Sequence, residues 1–204
     1  MKLKIFLILL FGLFSVAVFS QGFNGGLHAG ISASQISGDN LSGFDKPGFY
    51  GGGFVNLFVN KKHGLQMGLS YIGKGSRKLA KPNDGDPTSY KLSLNYIELP
   101  LLYKYVYRGE FGVDVGPYFS VLINSKEEDE SGEISRVAEF EKFDFGGLIS
   151  LSYLITDNLK FEISISTSLT KVREHGSGST YRLNKGQYNN VVMFSFGYQF
   201  NKAK

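Results

Sequence analysis

The stretch V-V-M-F-S-F-G-Y-Q-F, residues 191–200, decides the fold because its side chains alternate strictly between two kinds. Alternate residues of a β-strand point to the same side. One face carries the apolar and aromatic residues Val192, Phe194, Phe196, Tyr198 and Phe200. The other face is small or polar, apart from Met193. No helix or second sheet is evident that would bury the aromatic face, so the pattern predicts a strand whose apolar face meets lipid.

Seven further stretches show the same alternation, which gives eight predicted strands. They cover residues 23–34, 48–60, 65–73, 90–107, 110–124, 140–155, 159–170 and 191–200. Tight turns at 61–64, 108–109 and 157–158 alternate with long polar connections at 35–47, 74–89, 125–139 and 171–188. Short turns on one side and long loops on the other are typical of outer-membrane barrels. The sequence therefore predicts an all-β fold, an eight-stranded antiparallel up-and-down transmembrane β-barrel, with ten strands as the open alternative.

The position of the charges predicts which face of the sheet meets lipid. Seven charged residues share the small or polar face, namely Glu98, Lys104, Asp114, Lys142, Asp144, Lys160 and Glu162. A Lys on the lipid side near the midplane costs about 2–4 kcal/mol. We therefore expect the charged set to face the lumen.

An eight-stranded barrel has an interior just wide enough to be filled by side chains. The acids and bases predicted inside nearly balance, and buried charges must be paired. We expect these seven residues to form an ion-pair network that plugs the lumen. Small residues such as Gly112 and Gly146 leave a narrow channel for ions or small solutes as the alternative.

The fourth strand carries an irregularity. Leu92, Leu94 and Tyr96 have the opposite parity to the apolar residues from Ile97 onward. This pattern predicts a bulge near Tyr96–Ile97, or an upper half of the strand that rises out of the membrane. Pro100 also removes a ladder hydrogen bond within this strand.

Residues 1–20 are predicted to be a cleaved signal peptide, and residues 21–204 form the barrel domain. Lys2 and Lys4 precede an apolar run, and a small residue, Ser20, comes just before Gln21. The absence of Cys excludes disulfides and thiolate chemistry, and a net charge of +4 is too small to indicate a nucleic-acid partner. We expect export to the outer membrane of a Gram-negative bacterium.

The segment 94–105, L-N-Y-I-E-L-P-L-L-Y-K-Y, resembles the Y-I-E-I-P-L-L-x-K-Y signature of an outer-membrane β-barrel family common in Bacteroidetes, often called porin-family or PorT-like. G-P-Y-F-S-V-L at 116–122 and F-D-F-G-G at 143–147 resemble its next two strands. The resemblance implies the barrel fold and a C-terminal signal, here Phe196, Tyr198 and Phe200, which is read by the barrel assembly machinery. A PorT-like protein would be a subunit of a secretion assembly. The name porin in this family does not imply a pore.

The sequence carries no convincing catalytic or cofactor site. His28, His63 and His175 lack metal-ligand spacing. His175 with Glu174 and Ser177 could be drawn as a catalytic set, but adjacent loop residues rarely reach that geometry. We expect no enzyme activity, no cofactor and no metal. A lipocalin-like soluble barrel is disfavoured because the predicted interior is charged and Trp is absent.

The predicted loops carry opposite charges. The third is acidic, whereas the second and fourth are basic, with Arg182 and Lys185 in the fourth. The bases expected to contact lipopolysaccharide phosphates are Lys74, Arg77, Lys78, Lys81, Lys171 and Arg173. The predicted function is a structural or interaction role at the cell surface, whose partners are outer-membrane lipid, lipopolysaccharide and an unidentified protein.

Overall fold

A computed structural model describes residues 23–39, 41–134, 139–175 and 186–201. The predicted signal peptide lies outside these residues. Nine strands are present, and the sixth has only two residues. They are β1 (Phe23–Ser37), β2 (Lys46–Phe58), β3 (His63–Lys78), β4 (Tyr90–Tyr107), β5 (Phe111–Asp129), β6 (Gly132–Glu133), β7 (Phe143–Leu154), β8 (Leu159–Ser168) and β9 (Tyr188–Gln199).

Eight of these strands close into an antiparallel barrel, as the sequence predicts. Each pairs with its neighbours in chain order, and β9 returns to pair with β1. The two-residue β6 pairs only with β5, above the barrel. Both described ends meet at one rim, where the Phe200 amide donates to the Gly25 carbonyl over 2.9 Å. In the part of the chain that the structure describes, no helix has the length and apolarity to cross a membrane.

The short connections lie at the rim that holds both ends, which we assign to the periplasm. The β4–β5 turn has positive φ at two successive residues, 53° at Arg108 and 78° at Gly109. Two such residues give the turn the twist that a hairpin needs. At the opposite rim, β3 and β5 run to Lys78 and Asp129, beyond the predicted ends at 73 and 124. The outward alternation of apolar residues stops at the lipid boundary, whereas the hydrogen-bond ladder continues past it.

The apolar face points outward and the charged face inward. Leu151 and Phe196 are 58% and 54% exposed, whereas Glu98 and Asp114 are fully buried inside. The outward surface is therefore the one that the lipid covers.

The bulge predicted near Tyr96 is present, but its extra residue belongs to the partner strand and not to β4. The register shifts between Asn95 and Tyr96, and the extra residue is Ile123 of the partner strand β5. Strand β4 itself alternates without interruption, so that Leu92, Leu94 and Tyr96 point inward and are fully buried. The parity change arises because the outer half of the lumen is apolar, not because the strand turns over.

Inward glycines do not leave a passage. A Cβ at Gly146 would collide with the Tyr118 ring and hydroxyl, and one at Gly112 with the Ser152 hydroxyl. At Gly30 a Cβ would collide with the Phe194 carbonyl oxygen of the paired strand β9. These glycines allow close strand approach and large neighbouring side chains. The room that the sequence suggested at Gly146 is filled by Tyr118, whereas Gly112 lines the cavity at the periplasmic end.

Candidate functional site

The centre of the barrel interior holds one cation between two carboxylates. Lys74 Nζ lies 2.8 Å from Glu98 Oε2 and 3.3 Å from Asp144 Oδ2, and all three side chains are fully buried. The ammonium also lies over the rings of Tyr96 and Tyr118, 5.0 Å and 4.4 Å from their centroids. These contacts join β3, β4, β5 and β7 across the lumen.

Neutral polar groups complete this central cluster. Ser120 Oγ donates to Glu98 Oε2 over 3.0 Å. Asn189 Nδ2 donates to Asp144 Oδ2 over 3.0 Å, and the Tyr118 hydroxyl donates to the same oxygen over 3.3 Å. Glu98 Oε1 and Asp144 Oδ1 are buried without a hydrogen-bond partner among the described residues. Lys74 is therefore the cation that both carboxylates of this cluster share.

Two further ion pairs lie toward the periplasmic rim. Lys104 Nζ is 2.6 Å from Asp114 Oδ2, and Lys160 Nζ is 2.8 Å from Glu162 Oε1. All four side chains are at most 8% exposed. Six of the seven residues predicted for the lumen network thus lie inside the barrel and take part in ion pairs.

The seventh residue, Lys142, is a wrong prediction. It is exposed and precedes β7, which begins at Phe143. The predicted strand begins at residue 140, three residues before β7 begins. The Lys142 carbonyl oxygen accepts a hydrogen bond from the Leu122 amide, but its side chain is exposed. The cation opposite Asp144 is Lys74 instead.

Around the central cluster, the lumen is filled by apolar side chains. This group is completely buried and consists of Ile36, Ile72, Leu92, Leu94, Val191 and Met193. These residues come from four strands, β1, β3, β4 and β9, and pack in one cluster with Tyr50, Tyr96 and Tyr118. Water has no hydrogen-bond partners along such a surface.

An ordered segment of the last long loop covers the extracellular end. Arg173 is 4% exposed, and its Nη1 lies 2.8 Å from Glu127 Oε2 of β5. Its guanidinium also lies 4.2 Å from the centre of the Phe140 ring. The adjacent Val172 is fully buried and donates its amide to the Gln187 carbonyl. Arg173 was expected on the surface, and this expectation is wrong.

The other bases predicted to contact phosphates lie in different surroundings. The prediction that Lys74 lies in a loop is wrong, because β3 continues to Lys78 and Lys74 has inward parity. Lys78 and Lys171 form ion pairs of 2.6 Å with Asp86 and Glu174.

Arg77 is half-buried and Lys81 is exposed. Arg182 and Lys185 lie outside the described residues. Loop two is held by the Lys78 ammonium and the Thr88 hydroxyl, which bond to the Asp86 carboxylate and lower its pKa to about 2.

The periplasmic end of the lumen is open. A cavity of about 680 Å³ lies there between the turns, with Lys104 and Lys160 at its inner end. Asn24, Asn56 and Gln199 contribute amides to its wall. The lumen is therefore widest on the periplasmic side of the two ion pairs, and a second cavity of only about 10 Å³ lies next to Glu162, His28 and Ser164.

The proposed C-terminal signal residues lie on the outside of the barrel. Phe196, Tyr198 and Phe200 are each more than half exposed, and they face the membrane beside β1. This position is consistent with a surface that meets lipid and assembly factors.

The described residues hold no cluster of three metal-ligating side chains. His28 points inward, where its Nε2 lies 2.9 Å from the Ser70 hydroxyl. In the drawn catalytic set, Glu174 is paired with Lys171, His175 lies 3.2 Å from the Gly38 carbonyl, and Ser177 lies outside the described residues.

Sequence reasoning missed the central role of Lys74 and the Arg173–Glu127 contact. For Lys74 a signal was present, because it continues the inward parity of Gln66, Gly68 and Ser70. For Arg173 no local pattern exists, since its partner is 46 residues away.

A closed antiparallel barrel with an apolar outside and a charged inside defines the class of integral outer-membrane β-barrels. The chain belongs to the family described as outer membrane protein beta-barrel domain, which matches residues 19–174. A comparison with curated proteins finds no match.

Solved structures with the same fold support this class. Neisserial surface protein A aligns with 13% identity and a TM-score of 0.58, over 88% of this chain and 99% of that one. Ail of Yersinia pestis, solved with the heparin analogue sucrose octasulfate, aligns with 12% identity and a TM-score of 0.50, over 87% and 99%. CarO of Acinetobacter baumannii aligns with 10% identity and a TM-score of 0.50, over 85% and 96%. At these identities the likeness concerns the fold alone.

Proposed function

We propose that this protein is a non-catalytic outer-membrane barrel with a plugged lumen, which acts through its extracellular loops and rim. The observation that carries the proposal is the central cluster, in which Lys74, Glu98 and Asp144 are fully buried across the barrel. The apolar side chains packed around this cluster add to the obstruction. An ion crossing the lumen would have to displace both groups.

Plugging the lumen leaves the outer surfaces for function. Strands β3, β4 and β5 extend beyond the apolar band and present a polar outward face at Ser93, Asn95 and Asn124. This extension, rather than a passage, is the surface available to lipopolysaccharide or to a protein partner. The outward aromatic face of β9 is the surface that the barrel assembly machinery would read.

A narrow channel is the second candidate, and the periplasmic cavity favours it. That cavity would be the vestibule, and the ion pairs at its inner end would have to separate for ions to pass.

Single-channel recording of the folded mature protein in a planar bilayer tests the proposal. We expect no reproducible conductance steps from a sample whose folding is verified by a heat-dependent shift on a gel. Steady steps of one amplitude from such a sample would contradict the plug and establish the channel.

The finer resemblance to PorT-like proteins would make this chain a subunit of a secretion assembly. Its motif Y-I-E-L-P-L-L-Y-K-Y, residues 96–105, supplies the inward residues Tyr96, Glu98, Pro100, Leu102 and Lys104. The motif thus specifies lumen packing, and it supports the barrel more strongly than any particular partner.

A further inference from the structure

Two bases with one acidic partner between them lie at the extracellular ends of β3 and β4. Arg77 and Lys91 are directly opposite each other on paired strands. Like charges in this position are destabilising. Lys46, the first residue of β2, pairs with Ser34 and shares its inward parity, so it lies on the other face of the sheet.

The neighbouring bases have acidic partners, but this pair of bases is short of them. Lys46 Nζ donates to the Pro47 carbonyl over 2.9 Å, and Arg77 makes no ion pair among the described residues. Lys91 Nζ lies 3.2 Å from Glu128 Oε2. The other oxygen of this carboxylate, Oε1, lies 2.7 Å from Lys126 Nζ, so Glu128 is shared between two bases.

All 18 acidic residues of the chain fall within the described ranges, and none of them forms an ion pair with Arg77 there. Moreover, the Nε of Arg77 is buried without a hydrogen-bond partner in the part of the chain that the structure describes. A buried donor left without an acceptor costs about 1–3 kcal/mol. Both observations point to an anionic acceptor that the chain itself does not supply.

The two bases lie on the membrane side of the rim. Lys91 shares the outward parity of Ile97 and Leu99, separated from this apolar band by Asn95 and Ser93. Arg77 is paired directly with Lys91, so its side chain leaves the sheet on the same outward face. Long basic side chains at this height can reach back toward lipid headgroups.

We propose that Arg77 and Lys91 form a binding site for a phosphate group, as carried by a glycolipid of the outer leaflet. A guanidinium can hold two phosphate oxygens at once, and the ammonium group of Lys91 adds charge. The phosphate would remove the repulsion between the two cations and give Arg77 Nε an acceptor. This proposal rests on the proposed surface role, and it replaces the sequence prediction that Lys74 and Arg173 contact phosphates.

Titration of the folded mature protein in detergent with lipid A tests the site. The double variant Arg77→Gln/Lys91→Gln should bind lipid A on the order of tenfold more weakly, because charged hydrogen bonds of this kind are lost. The matched control is Lys81→Gln, an exposed base of the same loop, which should bind as the parent does. Each variant must show the heat-dependent gel shift, and Arg77→Lys provides a milder second variant that should lose part of the affinity.

Dephosphorylated lipid A and inorganic phosphate identify the ligand. We expect weak binding of the dephosphorylated lipid. Displacement of lipid A by millimolar inorganic phosphate would support a site that takes the free anion, and failure of phosphate to displace it would support the lipid headgroup. An equal loss in Lys81→Gln, or equal binding of dephosphorylated lipid A, would overturn the site. Conductance is measured separately from lipid binding. A barrel that shows no conductance steps but binds lipid A and dephosphorylated lipid A equally overturns only this inference. A barrel that conducts overturns only the plug.

Discussion

Replacing Lys74 by methionine is expected to destabilise the folded barrel by about 3–5 kcal/mol, the cost of removing one partner from a buried ion pair. Methionine has a similar length, so packing between Tyr96 and Tyr118 is largely kept. Glu98 and Asp144 would then be two buried carboxylates without a cation. The free energy of unfolding in urea, measured in lipid vesicles, gives the value directly.

The control is Lys78→Met, since Lys78 makes an ion pair of 2.6 Å with Asp86 at the surface. An exposed pair contributes about 0–1 kcal/mol. Adding Glu98→Gln and Asp144→Asn to Lys74→Met should recover part of the loss, because no unpaired charge remains in the central cluster. Equal unfolding free energies for Lys74→Met and Lys78→Met would show that the central cluster does not hold the barrel together. Lys142→Ala, an exposed position, should behave like Lys78→Met.

Gly30→Val is expected to prevent barrel closure in most of the molecules. The new side chain would collide with the Phe194 carbonyl and the Ser195 backbone, at the seam where β1 pairs with β9. A neighbouring backbone cannot move aside as a flexible side chain can, so the collision must separate the two strands. We expect the heat-shifted folded band to fall to a small fraction of the parent's.

Gly147→Val is the matched control, because a Cβ at Gly147 meets no atom within 4 Å. It should fold to the parent's yield. If Gly30→Val folds equally well, the close approach of β1 and β9 is not required for closure.

The barrel could be predicted from the sequence because a two-residue period is a local property. Each strand such as β9 shows its outward face directly, and the alternation of short and long connections orders the strands. The boundaries at the extracellular side could not be predicted as well. Polar outward residues such as Ser93 and Asn95 resemble a loop in sequence, although the ladder runs through them.

The interior could be predicted only where charge marked it. Glu98, Asp114 and Glu162 were recognisable as inward because lipid excludes them. Leu92 and Met193 are equally buried inside, but their apolar character gives no sign of which side they face. Arg173 was placed on the surface because its partner, Glu127, is distant in sequence.

The most direct test of the plugged lumen compares two serine-to-cysteine variants in a chain that has no cysteine of its own. Ser152 lines the periplasmic cavity, whereas Ser120 is fully buried beside Glu98 in the central cluster. With a water-soluble maleimide applied to the folded protein, Ser152→Cys should react rapidly and Ser120→Cys only after unfolding in urea. Equal reaction rates for the two folded variants would mean that water and solutes reach the centre of the barrel, and the plug would be refuted.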